Sequence, residues 1–147
     1  YDRREFSVAL QNQENVDFWA CDAMAFPFEP KQFAASVSLN TLDCVHSPLD
    51  FLSSLATVLG TDCPAILACP YDWSISATPL ESWLGGHSQR STDAGASEPV
   101  LTRLLTPGSP QSIEGLRLID QCDIDWQVRL HDRSSVSYRS HLVAAHT

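Results

Sequence analysis

The stretch that most constrains the fold of this chain is Ala65–Trp73, which reads AILACPYDW. Its first five residues are apolar, as in a strand that lies centrally in a parallel sheet and is covered on both faces. Pro70 ends the run, because proline has no N–H to donate to the sheet ladder. Ligands of open α/β sheets bind beyond the carboxyl ends of the strands, so the loop Tyr71–Trp73 is the first candidate for chemistry.

Two further apolar runs end on a polar residue in the same way. Residues 16–21 are followed by Asp22, and residues 33–39 are followed by Asn40. The first run is rich in aromatic and β-branched residues, which favour strands, and the second has a similar apolar character. We therefore expect three strands whose carboxyl ends present polar groups.

Residues Pro48–Leu59 carry the clearest helix pattern in the chain. Apolar side chains recur there at spacings of three and four, which gives a helix one apolar face. Ser47 is suited to the N-cap, proline to the first helical position and Gly60 to the C-cap. The residue 33–39 strand, this helix and the Ala65 strand form a βαβ unit, whose crossover is expected to be right-handed.

The last part of the chain predicts an antiparallel β-hairpin. Apolar residues alternate with polar ones from Leu116 to Leu130, and strand character returns over Val136–His146 after a turn. Two strands joined by a short turn pair antiparallel. The predicted fold is one α/β domain over residues 1–147, with a mostly parallel sheet that ends in this hairpin.

Residues 72–110 differ in composition from both flanks and are predicted to form an insertion on the substrate side of the sheet. They are rich in serine, threonine, proline and glycine. Short helices are expected to start near Thr78 and to span Ser97–Leu105. A long excursion after a central strand is usually functional or mobile.

Charge and hydrophobicity exclude several classes of protein. The 147 residues include 9 Lys and Arg against 18 Asp and Glu, for a net charge of −9. Repulsion from phosphate makes a nucleic-acid partner improbable, and no apolar run approaches the ~18 residues of a membrane span. A hydrophobic content of 44% is that of a globular domain, which leaves a small-molecule substrate as the natural partner.

The five cysteines fit neither a disulfide framework nor a zinc knuckle, because their number is odd and no CxxC pair occurs. Cys21, Cys69 and Cys122 lie in apolar runs and are interpreted as buried thiols. Free thiols favour a reducing compartment, so a cytoplasmic location is expected. The histidines match no metal-ligand spacing, and no metal is predicted.

The order of these elements resembles the second half of a class I S-adenosylmethionine-dependent methyltransferase, a partial Rossmann-like fold. The resemblance implies that Asp22 binds the adenine amino group of S-adenosylmethionine, with Ala23 and Met24 beside the ring. It also implies that Asn40 and Thr41 stand beside the methyl donor. From the residues alone, Asp22 and Asn40 are equally explained as caps of turns and helices.

The chain departs from this family at its start. The glycine-rich loop that holds the methionine moiety in the family is absent, since all six glycines lie at or after Gly60. The resemblance therefore covers the C-terminal portion of the fold. Tyr1 in place of methionine indicates a processed chain or a piece of a longer protein.

A narrower resemblance covers Pro70 to Gly86. The motifs Pro-Tyr-x-Trp, Thr-Pro and Trp-Leu-Gly-Gly are similar in order to those in the methyltransferase domain of ovothiol synthases, the 4-mercaptohistidine N-methyltransferases. This resemblance implies a small nitrogenous or thiol-bearing methyl acceptor.

Two groups of residues are the candidates for contact with that acceptor. Tyr71 and Asp72 are the catalytic candidates, since a carboxylate beside aromatic rings suits an amine or imidazole nitrogen. A loop anchored in the core by its two aromatic residues explains the same pattern. The substrate-binding candidates are Asp43, Trp73, Trp83, Gly85, Gly86, His87 and Arg133, although a histidine in a polar loop such as His87 is more often simply solvated.

Two functions remain open from the sequence. The first is methyl transfer to a small metabolite, with this chain as the C-terminal part of the enzyme. The second is a catalytically inactive module that serves dimerisation. The resemblance also implies that the family's first two strands are missing from this chain, which would leave a gap in the sheet. The residue 16–21 strand, residues 1–13 or a second chain could close it, and an uncovered edge predicts a homodimer.

Overall fold

The computed structural model of the protein describes Glu5, Ser7, Ala9 and residues 13–147. The apolar set Phe6, Val8 and Leu10 lies outside the described residues, as does most of the segment 1–13. A single turn of 3₁₀ helix, Gln13–Asn15, opens the continuous part.

Four strands form one mixed sheet in the order β1-β2-β4-β3. Their bounds are Ser36–Leu39 for β1, Pro64–Cys69 for β2, Arg117–His131 for β3 and Ser134–His146 for β4. Strands β1 and β2 are parallel, and both pairings of β4 are antiparallel. The predicted fold class, a parallel βαβ unit closed by a C-terminal hairpin, is confirmed.

Helix α1, Pro48–Val58, makes the crossover between β1 and β2. The Ser47 side chain accepts a hydrogen bond from the Asp50 backbone N–H at 3.3 Å, so the predicted N-cap is confirmed. The expected C-cap is wrong. Leu59 leaves the helix in an extended conformation, and the Gly60 N–H donates to the carbonyl of Phe33 at 2.8 Å.

Helix α2, Glu98–Leu104, lies within the insertion after β2 and confirms the second predicted helix there. The first is only a 3₁₀ turn, Leu80–Ser82. Both α-helices cover the same face of the sheet, and the core lies between them and the strands. The largest fully buried apolar side chains there are Leu42, Leu52, Leu59, Leu101, Leu105 and Val143.

The opposite face of the sheet is open in the described part of the chain. Val37 is 67% exposed, and its cross-strand neighbour Ile66 is half-buried. The expectation that the Ala65 strand is covered on both faces is therefore wrong. Its buried face carries Ala65, Leu67 and Cys69, since side chains alternate between faces along a strand.

Residues 16–21 do not form a strand, which corrects the first strand prediction. Phe18 is 84% exposed because this run lies outside the sheet, and Trp19 contacts Phe28 edge to face with ring centroids 5.5 Å apart. The residue 33–39 strand is shorter than expected, and Phe33 makes only an isolated bridge to Leu59. The outer edge of β1 has no strand partner among the described residues.

The β3–β4 hairpin is longer than the other strands can cover. Cys69, the last residue of β2, pairs with His141, so the part of the hairpin between Asp123 and His141 projects past the carboxyl end of β2. Ile124 and Leu130 are exposed in this projecting part. Cys122 pairs with Leu142 inside the four-stranded part and is exposed on the open face of the sheet. Cys21 is also exposed, so of the three cysteines expected to be buried only Cys69 is.

Candidate functional site

The loops that follow β1 and β2 are joined through a buried carboxylate. Asp43 is 2% exposed, and its Oδ2 accepts the backbone N–H of Asp72 at 2.7 Å. Thr78, fully buried, donates its hydroxyl to the carbonyls of Val45 at 2.6 Å and Asp43 at 3.2 Å. These contacts hold the start of the insertion after β2 against the loop after β1. Asp43 is therefore a buried residue that positions the loop after β2.

Tyr71 has a left-handed backbone conformation, with φ of 56°. A bulky residue adopts this conformation at a cost, and the surrounding contacts must hold it. Its N–H donates to the Cys69 sulfur at 3.4 Å, and its hydroxyl lies 2.7 Å from His141 Nδ1 on β4. The turn thus directs the tyrosine ring across the end of the sheet.

His141 is 5% exposed and bridges Tyr71 to β3, because its Nε2 lies 3.1 Å from Gln121 Oε1. Burial lowers the pKa of His141, against a smaller opposing effect of the charges on Glu98 and Asp123. A neutral imidazole with its proton on Nε2 satisfies both contacts, donating to Gln121 and accepting from the Tyr71 hydroxyl. Burial also raises the pKa of Tyr71, so the phenol keeps its proton.

Three stacked aromatic rings, the aromatic row, extend from this point into the insertion. The ring centroids of Tyr71 and Trp73 lie 6.4 Å apart with an interplanar angle of 21°. Those of Trp73 and Trp83 lie 6.0 Å apart with an interplanar angle of 18°. Trp73 Nε1 donates to Ser97 Oγ, and Trp83 Nε1 donates to the Thr78 carbonyl, both at 2.9 Å. Each indole is therefore oriented by a hydrogen bond as well as by stacking.

Asp72 is exposed beside this row, and its carboxylate has no hydrogen-bond partner among the described residues. Its backbone is fixed by Asp43, so the free carboxylate is presented next to Tyr71 and Trp73. The structure thus brings together five of the residues proposed from the sequence, at the edge where ligands of such sheets bind: Asp43, Tyr71, Asp72, Trp73 and Trp83.

Asn40 and Thr41 occupy the end of β1 at the same edge. Asn40 has φ of 54°, and its N–H donates to the Ala68 carbonyl at 2.7 Å. The Thr41 hydroxyl turns back to the Leu39 carbonyl at 3.3 Å. Their proposed contact with a methyl donor stays a prediction.

Asp22, Ala23 and Met24 form a turn next to the start of α1. Asp22 Oδ1 accepts the Met24 N–H at 2.9 Å, which is the capping role that an aspartate commonly has. The Met24 sulfur accepts the N–H of Ser47 at 3.2 Å. Asp22 is exposed, and its role toward adenine stays a prediction.

The paired glycines serve the loop itself. Gly85 has φ of 81°, and a Cβ at this position would lie 2.1 Å from the Ala96 carbonyl oxygen, so only glycine fits. Gly86, with φ of 79°, continues the same turn. The structure does not bring His87 or Arg133 to the aromatic row: His87 is exposed in its loop, and Arg133 lies in the turn at the hairpin tip.

Reasoning from the sequence missed His141 and Gln121. His141 stands 70 residues from its partner Tyr71, and only the register of β2 against β4 brings the two together. The available signal was a histidine beside an otherwise apolar run, Leu142–Ala145.

Two features are absent from the part of the chain that the structure describes. No group of three His, Cys, Asp or Glu side chains is placed to hold a metal ion. No helix in the same part of the chain has the length and hydropathy needed to cross a bilayer.

The comparisons with known proteins identify the fold through structure alone. No protein-family model and no curated protein matches the sequence. Among solved structures, an S-adenosylmethionine-dependent methyltransferase from Methanosarcina mazei is similar, with a TM-score of 0.55 and 15% identity over 85% of this chain. A putative methyltransferase from Bacillus halodurans is similar over 89% of the chain, with a TM-score of 0.52 and 14% identity.

The chain has a methyltransferase fold. A third similar structure, from work on the conversion of a disulfide bond into a thioacetal group during echinomycin biosynthesis, has a TM-score of 0.54 and 10% identity over 86% of this chain. The chain spans 64%, 77% and 53% of the lengths of these three proteins. At these identities the methyltransferase fold is what the likeness shows.

Proposed function

We propose that the protein takes part in S-adenosylmethionine-dependent methyl transfer to a small nitrogenous or thiol-bearing metabolite, with this chain as the C-terminal part of the enzyme. One observation carries the proposal. Tyr71, Asp72 and Trp73 are fixed by buried contacts at the carboxyl edge of a methyltransferase fold, while the Asp72 carboxylate remains free.

The chemistry of these groups suits an amine or imidazole acceptor. Because the Tyr71 hydroxyl donates its hydrogen bond to His141, its oxygen lone pairs remain to accept a hydrogen bond from an N–H of the acceptor. The acceptor nitrogen attacks the methyl group through its lone pair, as the neutral amine or imidazole. The Asp72 carboxylate can pair with the positive charge that the methylated nitrogen then carries, and take the proton that it releases. The aromatic row would exclude water from one side of the bound acceptor, and its ring faces attract positive charge.

Holding the acceptor atom in line with the methyl group and its sulfur accounts for most of the rate enhancement in methyl transfer. Fixing the two reactants in the reacting geometry removes a large entropic barrier. The buried hydrogen bonds of Asp43 and Thr78 suit this positioning role, because they fix the loop after β2 and leave the exposed Asp72 carboxylate unused.

The residues present fit the cofactor only in part. S-adenosylmethionine would supply the methyl group, and Asp22 and Asn40 are the candidates for its adenine and donor ends. No glycine precedes Gly60, so this chain has no glycine cradle for the methionine moiety. We propose that residues outside this chain, or a second copy, complete the cofactor site.

Calorimetric titration with S-adenosylhomocysteine, followed by a methyl-transfer assay with amine, imidazole and thiol acceptors, tests the proposal. Micromolar binding and acceptor turnover would support it, and Asp72→Asn should lower turnover far more than Ser76→Ala in the same exposed loop. Turnover that is equal in the two variants would refute the role of Asp72. If neither the chain nor the full gene product binds S-adenosylhomocysteine at millimolar concentration, the proposed activity is wrong.

The outer edge of β1 favours a second candidate function. This edge has no strand partner among the described residues, and unpaired strand edges promote association. A catalytically inactive module that forms a homodimer through this edge is therefore the alternative. Sedimentation equilibrium with and without S-adenosylhomocysteine tests this alternative: a concentration-independent monomer would refute the dimer, and a dimer that binds no S-adenosylhomocysteine would support the inactive module.

A further inference from the structure

A groove lies on the helical side of the molecule, away from Tyr71 and Asp72. Its walls are α1, the turn Glu81–Gly85, α2 and the segment 111–114, and its volume is about 870 Å³. Pockets of this size accommodate small organic ligands. The groove does not include the proposed cofactor residues or Tyr71, Asp72 and Trp73, and it shares one wall residue, Trp83, with the aromatic row.

The floor of the groove is apolar and only partly covered. Leu49 is exposed, and Ala56, Val100 and Ile113 are half-buried, so these side chains retain surface that a ligand could remove from water. Trp83 adds an aromatic wall that attracts cations, and it is held in place by its bond to the Thr78 carbonyl and by stacking on Trp73.

The charge of the lining has one sign. Glu81 and Glu114 both line the groove and are exposed, and the described lining residues include no lysine, arginine or histidine. The net charge of −9 adds to the negative potential. A cation with an apolar body is complementary to this surface, whereas an anion of the same shape is not.

We propose that this groove binds a primary or secondary arylalkylamine, with the ammonium group attracted by the negative lining to which Glu81 and Glu114 contribute, and the apolar part on the groove floor. The inference does not rest on methyl transfer. It therefore holds or fails independently of cofactor binding.

Three ligands of matched shape test the proposal by calorimetry at low salt: phenethylamine, 2-phenylethanol and 3-phenylpropanoate. We expect saturable binding of the amine at millimolar concentration, weaker binding of the alcohol and none of the carboxylate. High salt should weaken amine binding, because exposed charges are screened. The proposal is overturned if no ligand binds, or if the carboxylate binds as tightly as the amine.

A charge-matched pair of variants locates the binding. The double variant Glu81→Gln/Glu114→Gln should bind phenethylamine about 2- to 30-fold more weakly, which is the effect of losing two exposed charge interactions. Glu14→Gln/Glu29→Gln removes the same net charge from exposed positions outside the groove lining. An equal loss in both double variants would show a general field effect and would overturn the site. All four substitutions are at exposed positions, so unchanged melting temperatures are expected.

Discussion

Replacing Tyr71 with phenylalanine tests the hydrogen bond that joins the loop after β2 to β4. The change removes one oxygen and keeps the ring, so stacking on Trp73 and the packing of the turn are retained. His141 is 5% exposed, so its Nδ1 would lose its partner without regaining water. An unsatisfied buried polar group costs about 1–3 kcal/mol in the free energy of unfolding.

For a chain of this length, that cost corresponds to a melting temperature lower by about 2–12 °C. Thermal unfolding followed by circular dichroism, with urea titration for the free energy, measures it. Tyr138→Phe is the matched control, because Tyr138 stacks on Trp126 at 5.0 Å in the projecting hairpin and its hydroxyl has no hydrogen-bond partner among the described residues. We expect the control to change stability by less than about 0.5 kcal/mol.

Equal effects of the two substitutions would refute the reasoning, because the buried bond would then contribute no more than an exposed hydroxyl. A double-mutant cycle with His141→Phe separates the bond from the ring. If the bond carries the effect, Tyr71→Phe should cost little once His141 has been replaced.

Three further outcomes are expected. Burial lowers the folded-state pKa of His141, so the unfolded chain binds more protons at this residue than the folded chain does. The free energy of unfolding should therefore fall as the pH drops through the ordinary histidine pKa of about 6.5. Urea titrations at several pH values measure this loss, and His141→Gln should reduce it. Gly85→Ala should lower the free energy of unfolding by more than about 2 kcal/mol, because the added Cβ would meet the Ala96 carbonyl. Gly108 also has a positive φ, of 83°, but has open space around it, so Gly108→Ala should cost only the backbone strain of about 1–2 kcal/mol. Similar melting curves for the two variants would contradict this. Ser47→Ala should cost about 0.5–2 kcal/mol through loss of the N-cap of α1, and Ser47→Asp should restore it.

The elements with strong local signals could be predicted from the sequence. Helix α1 follows from its apolar spacing and its Ser-Pro start, and the hairpin follows from alternation on both sides of a turn. The residue 16–21 strand was wrong because its composition favours a strand, but a strand also needs a neighbour to pair with, which a local pattern cannot supply. Cys122 was misassigned for a related reason: alternation identifies the apolar face of β3, but not whether another layer covers it.

Some residues of the candidate site likewise have a local sequence signal, whereas others are placed only by long-range packing. Tyr71, Asp72 and Trp73 could be proposed from the sequence because they directly follow β2, and ligands of such folds bind beyond the carboxyl ends of the strands. His141 depends on strand register over 70 residues, and Asp43 proved to be a buried anchor of the loop, with Asp72 as the exposed carboxylate. Which of two nearby acids is buried is a matter of packing that residue types do not reveal.

The antiparallel pairing of β2 with β4 has a consequence for synthesis on the ribosome. The paired residues are more than 70 positions apart, and the whole insertion and β3 separate them. At about 5–20 residues per second, β2 waits several seconds after emerging before its second neighbour exists. During that interval an uncharged apolar segment, Ala65–Cys69, has a free edge that another nascent chain can occupy. The yield of folded protein should therefore depend more on chaperone capacity and expression rate than on the stability of the finished sheet.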